Sequence, residues 1–179
     1  MNRPLIAIGI VASLAGCSHG RSGPSAGDTL RVQVAGGGVT EAKVTDSAIV
    51  GPDVQVNVSS SGLRGTAFNR PVDVTWKGDE VTGMIGRTPV QLSVRRDGDQ
   101  LYVHGLFEGR LTDLRVSRTG IEGPIGSCSY SLKGSETEYQ GFRSCSQAPQ
   151  SSTTVEIPPG LWEKPDAEKI ALLALMLSH

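Results

Sequence analysis

Between residues 54 and 141 the chain alternates apolar and polar positions, and short clusters of turn-forming residues interrupt the alternation at near-regular intervals. Aligned against itself, this stretch repeats. Leu63-Arg64-Gly65-Thr66-Ala67 followed by Val72-Asp73-Val74-Thr75-Trp76 matches Val81-Thr82-Gly83-Met84-Ile85 followed by Val90-Gln91-Leu92-Ser93-Val94. Val103-His104-Gly105-Leu106-Phe107 with Thr112-Asp113-Leu114-Arg115-Val116 is the next copy, and Ile121-Glu122-Gly123-Pro124-Ile125 with Tyr130-Ser131-Leu132 the one after. A weaker first copy ends in Val54-Gln55-Val56-Asn57-Val58, and a partial last one holds Tyr139-Gln140-Gly141. The shared glycine recurs at 65, 83, 105, 123 and 141, with spacings of 18, 22, 18 and 18.

Period-two alternation is the pattern of a strand with one buried face. Lys77-Gly78-Asp79, Asp97-Gly98-Asp99 and Arg118-Thr119-Gly120 are turn formers between the strands. Each unit is therefore a β-hairpin, and tandem hairpins make an antiparallel meander. The 22-residue spacing adds two residues to each arm of one hairpin, which lengthens it without turning any side chain to the wrong face. One face carries Val, Leu, Ile and Trp76; the other carries Gln55, Asn57, Asp73, Gln91, Ser93, Asp113 and Arg115. About ten such strands leave edges and an apolar face to cover, so the sheet is expected to close as a barrel or fold over as a sandwich. A parallel β-helix is the alternative, since about 18 residues also make one coil. The repeated glycine suggests a coiled corner or close backbone packing, not a ligand site.

In this register, centring a hairpin on Glu136-Thr137 puts Cys128 opposite Cys145 and Tyr130 opposite Arg143. A structural disulfide is expected there. Ser146 to Thr154 reads as a Ser/Gln/Pro-rich connector, and Ile157 to Trp162 as an extended, packed segment. Pro165 opens a helix to about Leu177 that is apolar on every side from Ile170 onward. Such a helix is normally buried. It is expected to cover the open face or plug a barrel mouth, with docking of a partner or the bilayer as the other reading. The fold class is thus mainly β with one C-terminal α-helix.

The N-terminus adds an address. Arg3 precedes an apolar run of about 11 residues, Leu5 to Ala15, against roughly 20 needed to cross a bilayer as a helix. It ends Leu14-Ala15-Gly16-Cys17. This resembles the lipobox of bacterial lipoproteins. The resemblance covers the first 18 residues and implies cleavage before Cys17, acylation of that cysteine and, with Ser18 next, release to the outer membrane. Residues 1–16 are then a signal peptide, 17–28 a lipidated Gly/Ser/Pro-rich tether, 29–150 the repeat β domain, and 151–179 connector and helix. The remaining two cysteines fit the single disulfide.

A net charge of −1 offers nucleic acid no bulk attraction, and aromatics at 4% argue against a stacking surface. Histidines stand only at 19, 104 and 179, with no metal-ligand spacing and no catalytic elbow or phosphate loop. No cofactor, metal or catalytic residue is expected, and His104 reads as a solvated strand residue. Lys77, Arg95, Arg96, Arg115 and Arg118 fall near one set of strand ends and, with Trp162, are the candidate partner-binding residues. The expected function is a non-catalytic, outer-membrane-anchored subunit of a cell-envelope assembly for secretion, motility, polysaccharide or adhesion. Its partners are the membrane, through the lipid, and other envelope proteins. A small binding module, carrying an apolar molecule or inhibiting an enzyme, is the alternative.

Overall fold

A computed structural model describes residues 28–146 and 148–179. The expected signal peptide, Cys17 and nearly all of the tether lie outside the described residues. The alternation becomes β1 Thr29–Val34, β2 Val39–Val44, β3 Ala48–Val50, β4 Val54–Ser59, β5 Gly62–Ala67, β6 Arg70–Lys77 and β7 Glu80–Ile85. It continues as β8 Thr88–Asp97, β9 Gln100–Phe107, β10 Arg110–Ser117, β11 Gly120–Ile125, β12 Cys128–Ser135, β13 Glu138–Cys145 and β14 Ala148–Glu156. Each strand pairs antiparallel with the next, and β1 pairs with both β2 and β14, so the sheet closes into a barrel. Closure with antiparallel pairing excludes the sandwich and the β-helix.

Three expectations need correction. The described residues form fourteen strands, not about ten. The connector expected over 146–154 is largely β14, the strand that closes the barrel, so no domain boundary falls at 150. Its Ser/Thr/Gln composition hid it, because over residues 149–156 of this strand the buried side chains are Thr153 and Val155. The segment expected to be extended is a short helix, α1, over Pro159–Glu163.

Strand parity sets the wall. In β7, Val81 and Ile85 are buried while Glu80, Thr82 and Met84 are exposed. The repeated glycines occupy the inward parity at mid-strand, as Gly105 does between buried Val103 and Phe107. Gly65, Gly83, Gly105 and Gly123 have φ of +157°, +150°, +135° and +113°, and a Cβ on Gly105 would lie 2.0 Å from the Gln91 carbonyl oxygen. At these glycines one strand passes close over its neighbour's backbone, which is the close packing expected of them.

A barrel of about eight strands is filled by its own side chains, and diameter grows with strand number. Fourteen strands leave room for a helix about 10 Å across. Helix α2, Asp166–Leu177, fills it. From Ile170 to Leu177 no residue is more than 2% exposed, and the helix contacts β1, β6, β7, β8 and β9. It starts at the lower end, where Asp166 meets Arg96 of β8, and finishes at the upper end, where Ser178 meets Glu108 between β9 and β10. An interior helix goes further than the expected cover or mouth plug. It also removes the reading in which α2 docks a partner or the bilayer, because the surface it would use is inside.

Candidate functional site: an outer wall between two sealed mouths

The lower mouth is closed by charge pairs around Trp162. Arg96 Nε donates to Asp166 Oδ2 at 2.8 Å, and its hydrogen bond holds the Asp166 carboxyl below the ordinary carboxylate range. Lys169, 2% exposed, places Nζ 3.2 Å from Asp166 Oδ1 and 5.5 Å from the Trp162 ring centre. Arg118 donates to Glu136 at 2.7 Å and lies 5.8 Å over the same ring. Trp162 Nε1 donates to the Glu136 carbonyl oxygen at 2.6 Å. Acidic residues suit the first turn of a helix, and Asp166 and Glu168 stand there, with Lys164 2.8 Å from Glu168.

The upper mouth has its own closure. Arg70 donates twice to Glu108, at 3.0 and 2.7 Å, and Ser178 Oγ donates to the same carboxylate at 3.2 Å. The His179 ring stacks on Phe68 at 3.8 Å between centroids, and its Nε2 touches Arg70. Burial alone would raise the Glu108 carboxyl, but hydrogen bonds from His179 and Arg70 and their charges outweigh it and hold it down at about 2. Inward-facing Arg143 donates to the His179 carbonyl oxygen, and Tyr130 donates to that of Leu177. Just inside, Cys128 pairs with Cys145 in the expected register, with Tyr130 opposite Arg143, and the disulfide is formed.

The expected basic cluster therefore divides. Arg96 and Arg118 belong to the lower closure, as does Trp162, which is half-buried and bonded within the chain. Arg95 lies 5.2 Å over the Tyr102 ring. Lys77, Arg95 and Arg115 remain exposed, interleaved with Asp79, Glu80, Asp97 and Glu122, so no single-sign field forms. Strand parity, which the clustering by sequence ignored, separates them: Arg96 stands on the inward side at the end of β8 and reaches across the mouth.

His104 is exposed, as expected, and lies on the outer wall with Ser93 and Asp113 as its cross-strand neighbours. Its Nδ1 is 3.4 Å from Asp113 Oδ1. These residue types are those of a hydrolytic triad, but the Ser93 hydroxyl makes no hydrogen bond to the imidazole. The neighbouring strands are paired along the ladder, leaving no free pair of amides for an oxyanion. His104 and Ser93 instead line a shallow depression of about 230 Å³ with Glu80, Thr82, Gln91 and Leu106. A second depression, about 450 Å³, is lined by Asn57, Ser59, Arg64 and Thr75. Among the described residues no group of three or more His, Cys, Asp or Glu side chains converges as a metal site.

No helix among the described residues is long and apolar enough to cross a membrane. The wall is also the reverse of a spanning barrel's, which presents an apolar band about 25 Å tall to lipid. Here Arg64, Asp73, Gln91, Asp113 and Arg115 face outward at mid-height and the apolar residues face in.

Compared with protein-family models, curated proteins and solved structures, the chain gives no match.

Exposed apolar side chains stand among the polar ones of the wall, among them Val50, Phe142, Met84 and Leu111. Met84, Pro89, Leu106 and Leu111 lie side by side near the upper end of β7 to β10, with Met84 paired to Pro89 and Leu106 to Leu111. Leu111 is 79% exposed and Met84 43%. The signal was present: in three of the five repeats the residue after the glycine, which takes outward parity, is Met84, Leu106 or Phe142, and in a fourth it is Pro124.

Proposed function

We propose that the chain is a non-catalytic interaction protein, a β-barrel subunit of a bacterial cell-envelope assembly, held at the outer membrane by a lipid on Cys17. One observation carries the reading: the barrel interior is occupied by the chain's own helix α2, with Ile170 to Leu177 buried, so the outer wall is what the domain offers to other molecules. A carrier of apolar molecules would need that interior for its cargo, so the same observation counts against the carrier alternative. The described chain begins with β1 at the lower end, and Met84 and Leu111 lie near the upper end.

The anchor follows from the lipobox resemblance, since two or more acyl chains hold a protein stably at a bilayer. Cys17→Ala is predicted to move the full chain from the membrane fraction to the soluble one. Continued tight membrane association would remove the anchor from the reading. The interaction role is tested by placing a photo-crosslinking residue at Gln55, His104 or Arg115 of the full chain in intact cells. Crosslinks to defined envelope components from neighbouring wall positions are expected. A wall silent at every position, in cells where the protein is folded and abundant, would overturn it.

A further inference from the structure

We propose that the outer wall around Phe142, from β12 through β13 and β14 to β1, is a binding site for a neutral saccharide. The sugar stacks on the Phe142 ring and hydrogen-bonds to Gln33, Ser131, Gln140, Ser152 and Thr154. The inference rests on the reading of the outer wall as the working surface and names a ligand class for one sector of it. Phe142 is 50% exposed and stands outside the core cluster. It lies in a depression of about 460 Å³ that Gln33, Gln140, Ser152 and Thr154 also line. Small-molecule sites run from about 300 to 1,000 Å³. Ser131 of β12 and Ser152 of β14 are the cross-strand neighbours of Phe142, and Thr154 stands between Gln140 and Gln33. Among the described residues the side chains of Gln33, Ser131, Ser152 and Thr154 make no hydrogen bond. Gln140 donates to Glu138 and keeps its amide oxygen for another donor.

A sugar ring carries hydroxyls around its rim, each both donor and acceptor, and an apolar face of C–H groups. Serine and threonine hydroxyls and glutamine amides likewise offer both a donor and an acceptor. The face of an aromatic ring is electron-rich and receives the C–H groups. The charge pattern selects a neutral ligand. No residue lining the depression is charged. At its borders Lys133 stands near Glu138, Arg31 pairs with Glu156, and Glu122 lies opposite Arg115. The sector therefore presents no field of one sign, and an ion desolvated in the depression would lack a counter-charge there. An apolar ligand would cover the hydroxyls and leave them unpaired. An added peptide strand has no place, because every strand of the closed barrel is already paired on both sides. The low aromatic content of the chain, 4%, speaks against a wall paved with rings, but this site needs only one.

The test titrates the full chain, in a sugar-free detergent, with hexasaccharides of β-linked N-acetylglucosamine, β-linked glucose and α-linked glucose. An anionic hexasaccharide of β-linked mannuronate is the control. Saturable binding of at least one neutral sugar is expected, and none of the mannuronate. Preference for N-acetylglucosamine would uphold the site with cell-wall glycan as its source, and preference for a glucan would uphold it with a surface polysaccharide. Phe142→Ala is expected to weaken binding ~10-fold, the effect of losing one stacked ring. Phe142→Trp should retain it, and Leu111→Ala, on β10, should leave it unchanged. Ser152→Asp, which sets a charge beside the ring, should weaken it as well. Phe142 and Ser152 are exposed, so the melting temperatures of these variants should not fall. No binding of any neutral hexasaccharide would overturn the proposal. So would binding unchanged in Phe142→Ala, or mannuronate bound as tightly as the neutral sugars. Crosslinks from Gln55, His104 and Arg115 with no saccharide bound would overturn this site and leave the wall as a protein-binding surface. Saccharide bound by a wall silent at those positions would uphold the site and remove the protein partners.

Discussion

Single residues show where strands of this wall come closest. Gly65, Gly83, Gly105 and Gly123 stand at inward parity with positive φ, and Gly105 would carry a Cβ 2.0 Å from the Gln91 carbonyl oxygen. Gly105→Ala must therefore both strain its own backbone and push β8 away, and is expected to cost ~3 kcal/mol or more in denaturant unfolding. Gly98→Ala, at φ +60° in an open turn with nothing within 4 Å, is expected to cost only ~1 kcal/mol. Equal losses would mean that the mid-strand glycines are no closer to their neighbours than turn glycines are. At the upper mouth, Glu108 is held at about 2 against an ordinary 4.5. A carboxylate whose folded pKa is depressed adds stability above its unfolded pKa and loses it as pH falls toward the folded one. That places the loss between about pH 4.5 and 2, on the order of 3 kcal/mol for this group. Glu108→Gln is expected to lower stability at pH 7 and to flatten that acid limb. An unchanged limb would mean that the Arg70–Glu108–His179 cluster does not hold the mouth. The glycine recurrence was legible in the sequence. The upper cluster was not, because it joins residues 68, 70, 108, 143 and 179 through the barrel's closure, and Phe68 adopts φ +51° where turn chemistry alone would favour Gly or Asn.

Elements were legible where their residues alternate strongly and hidden where they do not. The hairpins from β5 to β12 follow directly from period two, and the Cys128–Cys145 pairing follows from the register around Glu136. Strand β14 was hidden because Ser, Thr, Gln and Pro dominate it, and its strand character comes from pairing with β13 and β1 on either side. The disulfide ties β12 to β13 across a separation of 17 residues. Replacing both cysteines by serine is expected to cost about 3 kcal/mol by the chain-entropy model, with the barrel still forming. A loss below about 1 kcal/mol would show that the unfolded chain was already constrained there. Helix α2 was legible as buried but not as central. Its all-round apolar surface says that something surrounds it, and only the strand count says that a barrel wide enough can do so.

At the scale of the whole molecule, sequence and fold divide the labour. The interior has a complete internal partner in α2, and both mouths are closed by charge pairs and stacked rings. The outer wall carries the polar repeat face and the strip around Leu111. The wall is what the described residues offer for work outside the chain, and it was readable in part from the outward parity of each hairpin. The division of the basic residues between mouth and wall was not readable, since it depends on which way Arg96 and Arg118 lean at the strand ends.

Amide hydrogen exchange along α2 in the intact chain tests the sealed interior most directly. With α2 threaded through a closed barrel, the amides from Ile170 to Leu177 should exchange only through global unfolding, as slowly as the slowest in the strands. They should keep that protection when apolar molecules are added. Fast exchange across α2 while the strands remain protected would contradict the sealed barrel and return the interior to a ligand.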